Sequence, residues 1–253
     1  MLSHSGPPRL RMPQGEAWNI FGNDDRHGLA TQTLPAAAIG LVRSGTNFCT
    51  GTLVGKRLVL TAAHCLTNLK TQQPEGDQTV TFVPNVIHGV SRADFHPKVV
   101  QVWTGGWDGN FSPANSDWAV LLLDSHPTQN QKLYPWIEVQ PMTPTEGLRV
   151  DGMGYGMDFL NGGTLGVHRN CKIREVFTEG YFYHDCDNWS GASGGPIWRT
   201  SENKLYLVGI NNSHFSGSRR GLRKPDYSRA YANVGVASQE FARWILDVRS
   251  EFP

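Results

Sequence analysis

Thr61-Ala62-Ala63-His64-Cys65 and Gly191-Ala192-Ser193-Gly194-Gly195-Pro196 are the two stretches on which the reading of this chain turns. The first sets a histidine directly after a run built like a strand. The second sets a serine among glycines that let the backbone fold tightly around it. A serine hydroxyl is a weak nucleophile until a positioned base takes its proton, so the two settings suggest a matched pair.

Around these stretches lie short apolar or alternating runs separated by turn residues: Leu53–Ala62, Thr79–Val86, Val99–Trp103, Trp118–Leu123, Leu148–Met153, Leu205–Ile210 and Ala230–Val234. Many short strands of this kind predict an all-β sandwich or barrel. One helix is predicted near the C-terminus, with Ser238 as its cap and Phe241, Trp244, Ile245 and Val248 on one face. With 253 residues, 39% hydrophobic and 18% charged, the chain can bury a sizeable core as one large domain or two small ones. A formal net charge of +1 gives no reason to expect nucleic acid or an anionic membrane as partner. No apolar run reaches the roughly 18–20 residues of a membrane span.

Four cysteines fall into two local pairs by position, Cys49 with Cys65 and Cys171 with Cys186, although four cysteines allow three connectivities. No Cys-x-x-Cys or His-x-x-x-His completes a zinc set, and no metal is expected. Disulfides would place the protein outside the reducing cytosol, secreted or periplasmic. Met1–Gln14 is polar, rich in proline and glycine, and lacks the apolar core of an export signal.

A Ser–His pair needs a third group that orients the imidazole. Asp117 fits, because Asn115-Ser116-Asp117 turns directly into the apolar run Trp118–Leu123. Asp124 closes the other end of that run as a turn residue, and Asp77, Asp94 and Asp108 lie in polar loops.

With these residues in place, the chain resembles the chymotrypsin-fold serine endopeptidases in the order His, Asp, Ser. Within them it resembles the bacterial branch of glutamyl endopeptidases and their trypsin-like relatives. The resemblance is carried by Ile20–Arg26, Ala38–Val42, Cys49–Val54, the His64 stretch, Ser116–Val120, Asp185-Cys186-Asp187 and the Ser193 stretch. It implies an all-β fold of two six-stranded antiparallel barrels, the first at about 36–125 and the second at about 136–236, with a helix at 238–250 and residues 1–19 as a tail or pro-segment remnant. It implies disulfides Cys49–Cys65 and Cys171–Cys186, and a catalytic triad of His64, Asp117 and Ser193. Backbone N–H groups of Gly191 and Ser193 would meet the oxyanion. Protein or peptide substrates, no cofactor and a monomeric state are expected.

The chain departs from the animal enzymes at Ala192, where those place an aspartate that pairs with a newly released N-terminus. For substrate choice, Asp187 stands six residues before Ser193, where trypsin-like enzymes hold a carboxylate for Arg or Lys, and a basic preference is the favoured reading. The alternative is an acidic preference, with Arg229 at the pocket base accepting the carboxylate or neutralising Asp187. Asn188 and Asn211 would stand where glutamyl-specific enzymes carry threonine and histidine, and His214 is read as a loop residue. A catalytically silent peptide-binding protein of the same fold is the remaining alternative.

Other features have plainer readings. Arg219, Arg220, Arg223 and Lys224 read as a solvated loop, Asp24 and Asp25 as a turn rather than a calcium site, and Trp103, Trp107 and Phe111 as core packing or cleft lining. Three Asn-x-Ser matches, beginning at Asn110, Asn188 and Asn211, are read as chance.

Overall fold

The computed structural model describes residues 20–29, 33–45, 47–68, 73–74, 80–108, 114–202, 204–216 and 226–252. The expected tail 1–19, Asp77, Asn110, Phe111 and the basic loop at 217–224 lie outside them. In chain order the main strands are β1 (Arg26–Leu29), β2 (Ile39–Ser44), β3 (Asn47–Leu53), β4 (Leu58–Thr61), β5 (Thr81–Pro84), β6 (Val99–Thr104) and β7 (Ala119–Leu123). They continue with β8 (Arg149–Gly154), β9 (Leu165–Val176), β10 (Tyr181–His184), β11 (Pro196–Ser201), β12 (Lys204–Ser216) and β13 (Tyr231–Ala237), followed by helix α1 (Ala242–Glu251).

The first sheet runs β6-β7-β4-β3-β2-β5. A single antiparallel bridge between Thr81 and Lys98 turns its β5 edge back toward β6. The second runs β1-β9-β8-β11-β12-β13-β10, and β9 also pairs with β10, so six strands close into a ring with β1 added outside it. Strand β1 precedes the first sheet in sequence yet pairs with β9 of the second, Arg26 opposite His168 and Leu29 opposite Leu165. The N-terminal segment therefore reaches across to the barrel that carries Ser193.

Leu53, Leu58, Leu60, Leu121 and Leu123 are fully buried in the first sheet, and Phe182, Ile197 and Val208 in the second. Such side chains contribute about 1.5–3 kcal/mol each relative to exposure. The predicted strand Leu53–Ala62 is two strands, because the polar turn Gly55-Lys56-Arg57 intervenes and Val54 N–H bonds Leu58 O across it (2.9 Å). Helix α1 buries Ile245 and Val248, with Phe241 just ahead of it, as the spacing predicts. Ser238 does not cap it: Phe241 holds the N-cap position. The Ser238 hydroxyl instead accepts Met142 N–H (3.1 Å) and donates to Gln140 O (3.2 Å), and Ser238 itself lies in a preceding 3₁₀ turn.

Candidate active site

The register of two strands brings His64 and Asp117 together. Thr61 at the end of β4 pairs with Ala119 at the start of β7. In an antiparallel pair, residues just after one strand and just before the other leave the sheet at the same end. His64 lies in a one-turn 3₁₀ helix, Ala63–Leu66, directly after β4. The Asp117 side chain is fully enclosed: Oδ1 accepts His64 N–H (2.8 Å) and Oδ2 meets His64 Nδ1 (2.8 Å). With Nδ1–H given to the carboxylate, Nε2 is the acceptor of the neutral ring. Trp107 stands edge-on to the imidazole, centroids 6.0 Å apart, whereas Trp103 packs on Trp244 of α1 (5.1 Å). The expected tryptophan pair thus divides between cleft and helix packing.

The second barrel delivers Ser193 in the same manner. Pro196 of β11 pairs with Ile210 of β12, so Ser193, just ahead of β11, comes beside Asn211 and Asn212 as β12 runs on past that pair. Two reciprocal bonds, Gly194 N–H to Asn211 O and Asn211 N–H to Gly195 O (2.7 Å each), hold the loop against β12. Gly191 and Gly194 have φ of +97° and +79°, where a side chain would be strained. A Cβ at Gly194 would also come within 2.3 Å of Thr50 O.

Carbonyl partners orient this loop. Ser190 O accepts Met157 N–H (2.8 Å) and Ala192 O accepts Gly195 N–H (3.0 Å). In a trans peptide the N–H points opposite to the C=O. Gly191 N–H and Ser193 N–H are therefore turned away from those partners, and neither has a protein acceptor among the described residues. Thr50 adds a clamp that the sequence reading passed over. Its N–H donates to Ser193 O (2.8 Å), and its hydroxyl donates to Gly191 O (2.9 Å) while accepting Tyr155 N–H (2.9 Å).

Asn212 is the second residue that was missed. It is the extra residue of a bulge in β12, between the pairs Asn211–Gly235 and Ser213–Val234. A bulge re-aims a side chain out of the strand's alternation. Its Nδ2 donates to Asp117 Oδ2 (2.6 Å) and to Asp117 O (3.2 Å), and its carbonyl accepts the Ser193 hydroxyl (3.2 Å). Asn212 thus touches Asp117 and Ser193 at once.

The expected pocket residues separate. Asn188 Nδ2 donates to Asn211 Oδ1 (2.7 Å), so these two meet. Arg229 is not at a pocket base: its side chain is 79% exposed and forks onto Glu175, because it lies ahead of β13 on the outer surface. Asp187 has no exposed side-chain surface, and its two oxygens accept backbone N–H of Phe21 (2.8 Å) and Asp25 (2.9 Å). His168 Nδ1 accepts Asp187 N–H (2.8 Å) and lies 3.3 Å from Asp187 Oδ2. The two contacts compete for one nitrogen: the first needs it bare in the neutral ring, the second protonated in the imidazolium. Burial pushes the imidazole down, but Asp187, aided by Asp25 and Asp185, outweighs it and raises the pKa. Asp25, His168 and Asp187 hold ligand-type atoms within 4.8 Å of one another, yet those of Asp187 and His168 are already engaged. Asp24 is paired with Arg26.

A cavity of about 20 Å³, room for one water, lies behind the nucleophile loop, with Ala192, Arg26, His184, Asp187 and Asn211 in its wall. Disulfides Cys49–Cys65 and Cys171–Cys186 are formed as the resemblance implied. The first ties β3 to the His64 turn, and the second ties β9 to the residue before Asp187. No helix among the described residues is long and apolar enough to cross a membrane.

Comparison with known proteins agrees with this architecture. A solved Glu endopeptidase in complex with MPD superposes with a TM-score of 0.72 over 91% of this chain and 99% of its own, at 19% identity, a likeness of fold. Serine protease 23 of Bos taurus is 30% identical over 66% of this chain and 49% of its own length, and that of Homo sapiens 29% over 66% and 48%. The chain thus spans about half the length of these curated relatives. They are mammalian, so the assignment stands at the family, above the bacterial branch expected from the sequence. The Trypsin family model matches residues 29–245, both barrels and the first turn of α1, and the chain belongs to that family.

Proposed function

We propose that the protein is a serine endopeptidase acting through His64, Asp117 and Ser193. The observation that carries this reading is Asn212, which joins the Ser193 hydroxyl to the same Asp117 carboxylate that holds His64 Nδ1. Ser193 Oγ attacks a peptide carbonyl carbon while its proton passes to His64 Nε2. The imidazolium, stabilised by Asp117, returns a proton to the leaving amine, and water then hydrolyses the acyl-enzyme by the same route. The oxyanion is met by Gly191 and Ser193 N–H, each such donor contributing about 3–4 kcal/mol in comparable sites.

The preference for Arg or Lys loses its carrier, since Asp187 is committed to the N-terminal segment. The acidic preference loses Arg229, which is bound to Glu175. Asn188 and Asn211 are left as the polar side chains beside the nucleophile loop. Two disulfides support a site of action outside the reducing cytosol.

A fluorophosphonate probe should label the wild type and leave Ser193→Ala unlabelled, and digestion of a peptide library then reads the residue taken before the cut. An unlabelled wild type that cleaves no peptide would sink the proposal in favour of a silent binding protein.

A further inference from the structure

Ala192 is 4% exposed and carries no charge, so the nucleophile loop has no ion pair of its own to hold it in shape. The N-terminal segment instead grips two stretches that adjoin that loop, at Asp187 and at Asp158. At its start, Phe21 and Asp25 donate their backbone N–H groups to the enclosed Asp187 carboxylate. Ile20, at 2% exposure, anchors the same segment in the core. At the second point, the Arg26 side chain, only 4% exposed, is held by Asp24 through Nε (2.9 Å) and Nη2 (2.8 Å). It reaches Asp158 through Nη1 (3.2 Å) and Nη2, with its guanidinium 4.8 Å from the Phe159 ring centroid.

Asp158 is next to Met157, whose N–H fixes Ser190 O and thereby the direction of Gly191 N–H. Packing here is close: a Cβ at Gly156 would fall 2.4 Å from Asp158 Oδ1 and 3.2 Å from Arg26 Nη1. A buried guanidinium forked onto partly exposed carboxylates is directional enough to fix the segment it grips.

We propose that Ile20–Arg26 is a built-in brace for the oxyanion turn, with Arg26 and Asp187 as positioning residues. The brace does the work of the charge that Ala192 lacks, and Asp187 supports the loop rather than selecting the substrate. This rests on the serine endopeptidase reading.

The test compares wild type, Arg26→Met, Arg26→Lys, Asp158→Asn and Asp187→Asn, each confirmed as folded by near-UV circular dichroism. Arg26→Met keeps the side-chain length, and Asp158→Asn, at a partly exposed site, serves if Arg26→Met fails to fold. Fluorophosphonate labelling and kcat should fall at least tenfold in Arg26→Met, with KM nearly unchanged and partial recovery in Arg26→Lys. Asp187→Asn should lower cleavage evenly across peptides that differ in the residue before the cut. Hydrogen exchange in 156–159 and 188–193 should quicken in Arg26→Met, and this readout does not need an active enzyme. Labelling within twofold of wild type together with unchanged exchange would overturn the brace. So would an Asp187→Asn variant that loses cleavage only after Arg and Lys. An inactive wild type whose exchange still responds to Arg26→Met would refute the enzymatic reading and leave the structural brace standing.

Discussion

At the scale of single residues, the hydrogen bonds of Asp117 decide how the site is held. Its Oδ2 accepts from both His64 Nδ1 and Asn212 Nδ2, so the carboxylate has a fixed plane, and that plane fixes the imidazole. Bonds to a charged acceptor contribute about 1.5–3 kcal/mol. Asn212→Ala should therefore lower kcat by roughly 10- to 100-fold while leaving the fold intact, as steady-state cleavage of a peptide substrate would show. An unchanged kcat would mean that the two His64 bonds hold the Asp117 carboxylate without Asn212. His64, Asp117 and Ser193 were legible because each sits in a local pattern: a strand end, a turn before an apolar run, a glycine-rich loop. Asn212 was not, since its role comes from a bulge, and a bulge depends on pairing with a distant strand. Asp187 was legible as a carboxylate six residues before Ser193, but what it binds in the fold was not. Its partners, Phe21 and Asp25, are backbone groups far away in sequence and carry no side-chain signal.

At the scale of elements, the nucleophile loop is set by how closely β8 approaches it. A Cβ at Gly154, the last residue of β8, would lie 2.6 Å from Ala192 Cβ and 2.7 Å from Ala192 Cα. One of those is a backbone atom, so the loop itself must move. Overpacking of this kind costs about 1–3 kcal/mol. Gly154→Ala should lower the thermal midpoint by roughly 2–12 °C and slow fluorophosphonate labelling as the loop shifts; full labelling rates at an unchanged midpoint would contradict the contact. Strands β4, β6, β7 and β8 follow from apolar runs, and α1 from its 3.6-residue stripe. Strands β9, β10 and β11 were not among the predicted runs. β9 mixes His168, Arg169, Asn170 and Lys172 among its apolar residues, and its long pairing with β8 supplies what its own composition does not. The assignment of β1 to the second barrel was equally hidden, because four residues, Arg26-His27-Gly28-Leu29, show no alternation that names a partner.

At the scale of the whole molecule, two histidines, His168 and His184, act in different pH windows. His184, at 1% exposure on β10, is pushed down to about 4 by burial, against the pull of Asp185 and Asn211 and with some added repulsion from His168. Its unfolded counterpart titrates near 6.5. Between those values the unfolded chain binds the extra proton, so stability falls as the pH drops from about 6.5 toward 4, by about 3 kcal/mol in all. His168 works the other way. Its folded pKa is raised, so its contribution is fully present below about 6.5 and is lost as the pH rises through the folded value. The two act on opposite flanks, His184 as the pH drops below about 6.5 and His168 as it rises through the raised folded value. Urea unfolding of wild type and His184→Leu at intervals from pH 7 to 4 isolates the acid flank. Leucine fills a similar volume and has no proton to bind, so the variant should lose about 3 kcal/mol less than wild type over that range. Parallel curves for the two proteins would show that the acid sensitivity comes from carboxylates elsewhere, and that His184 takes up its proton without opening the barrel behind Ser193.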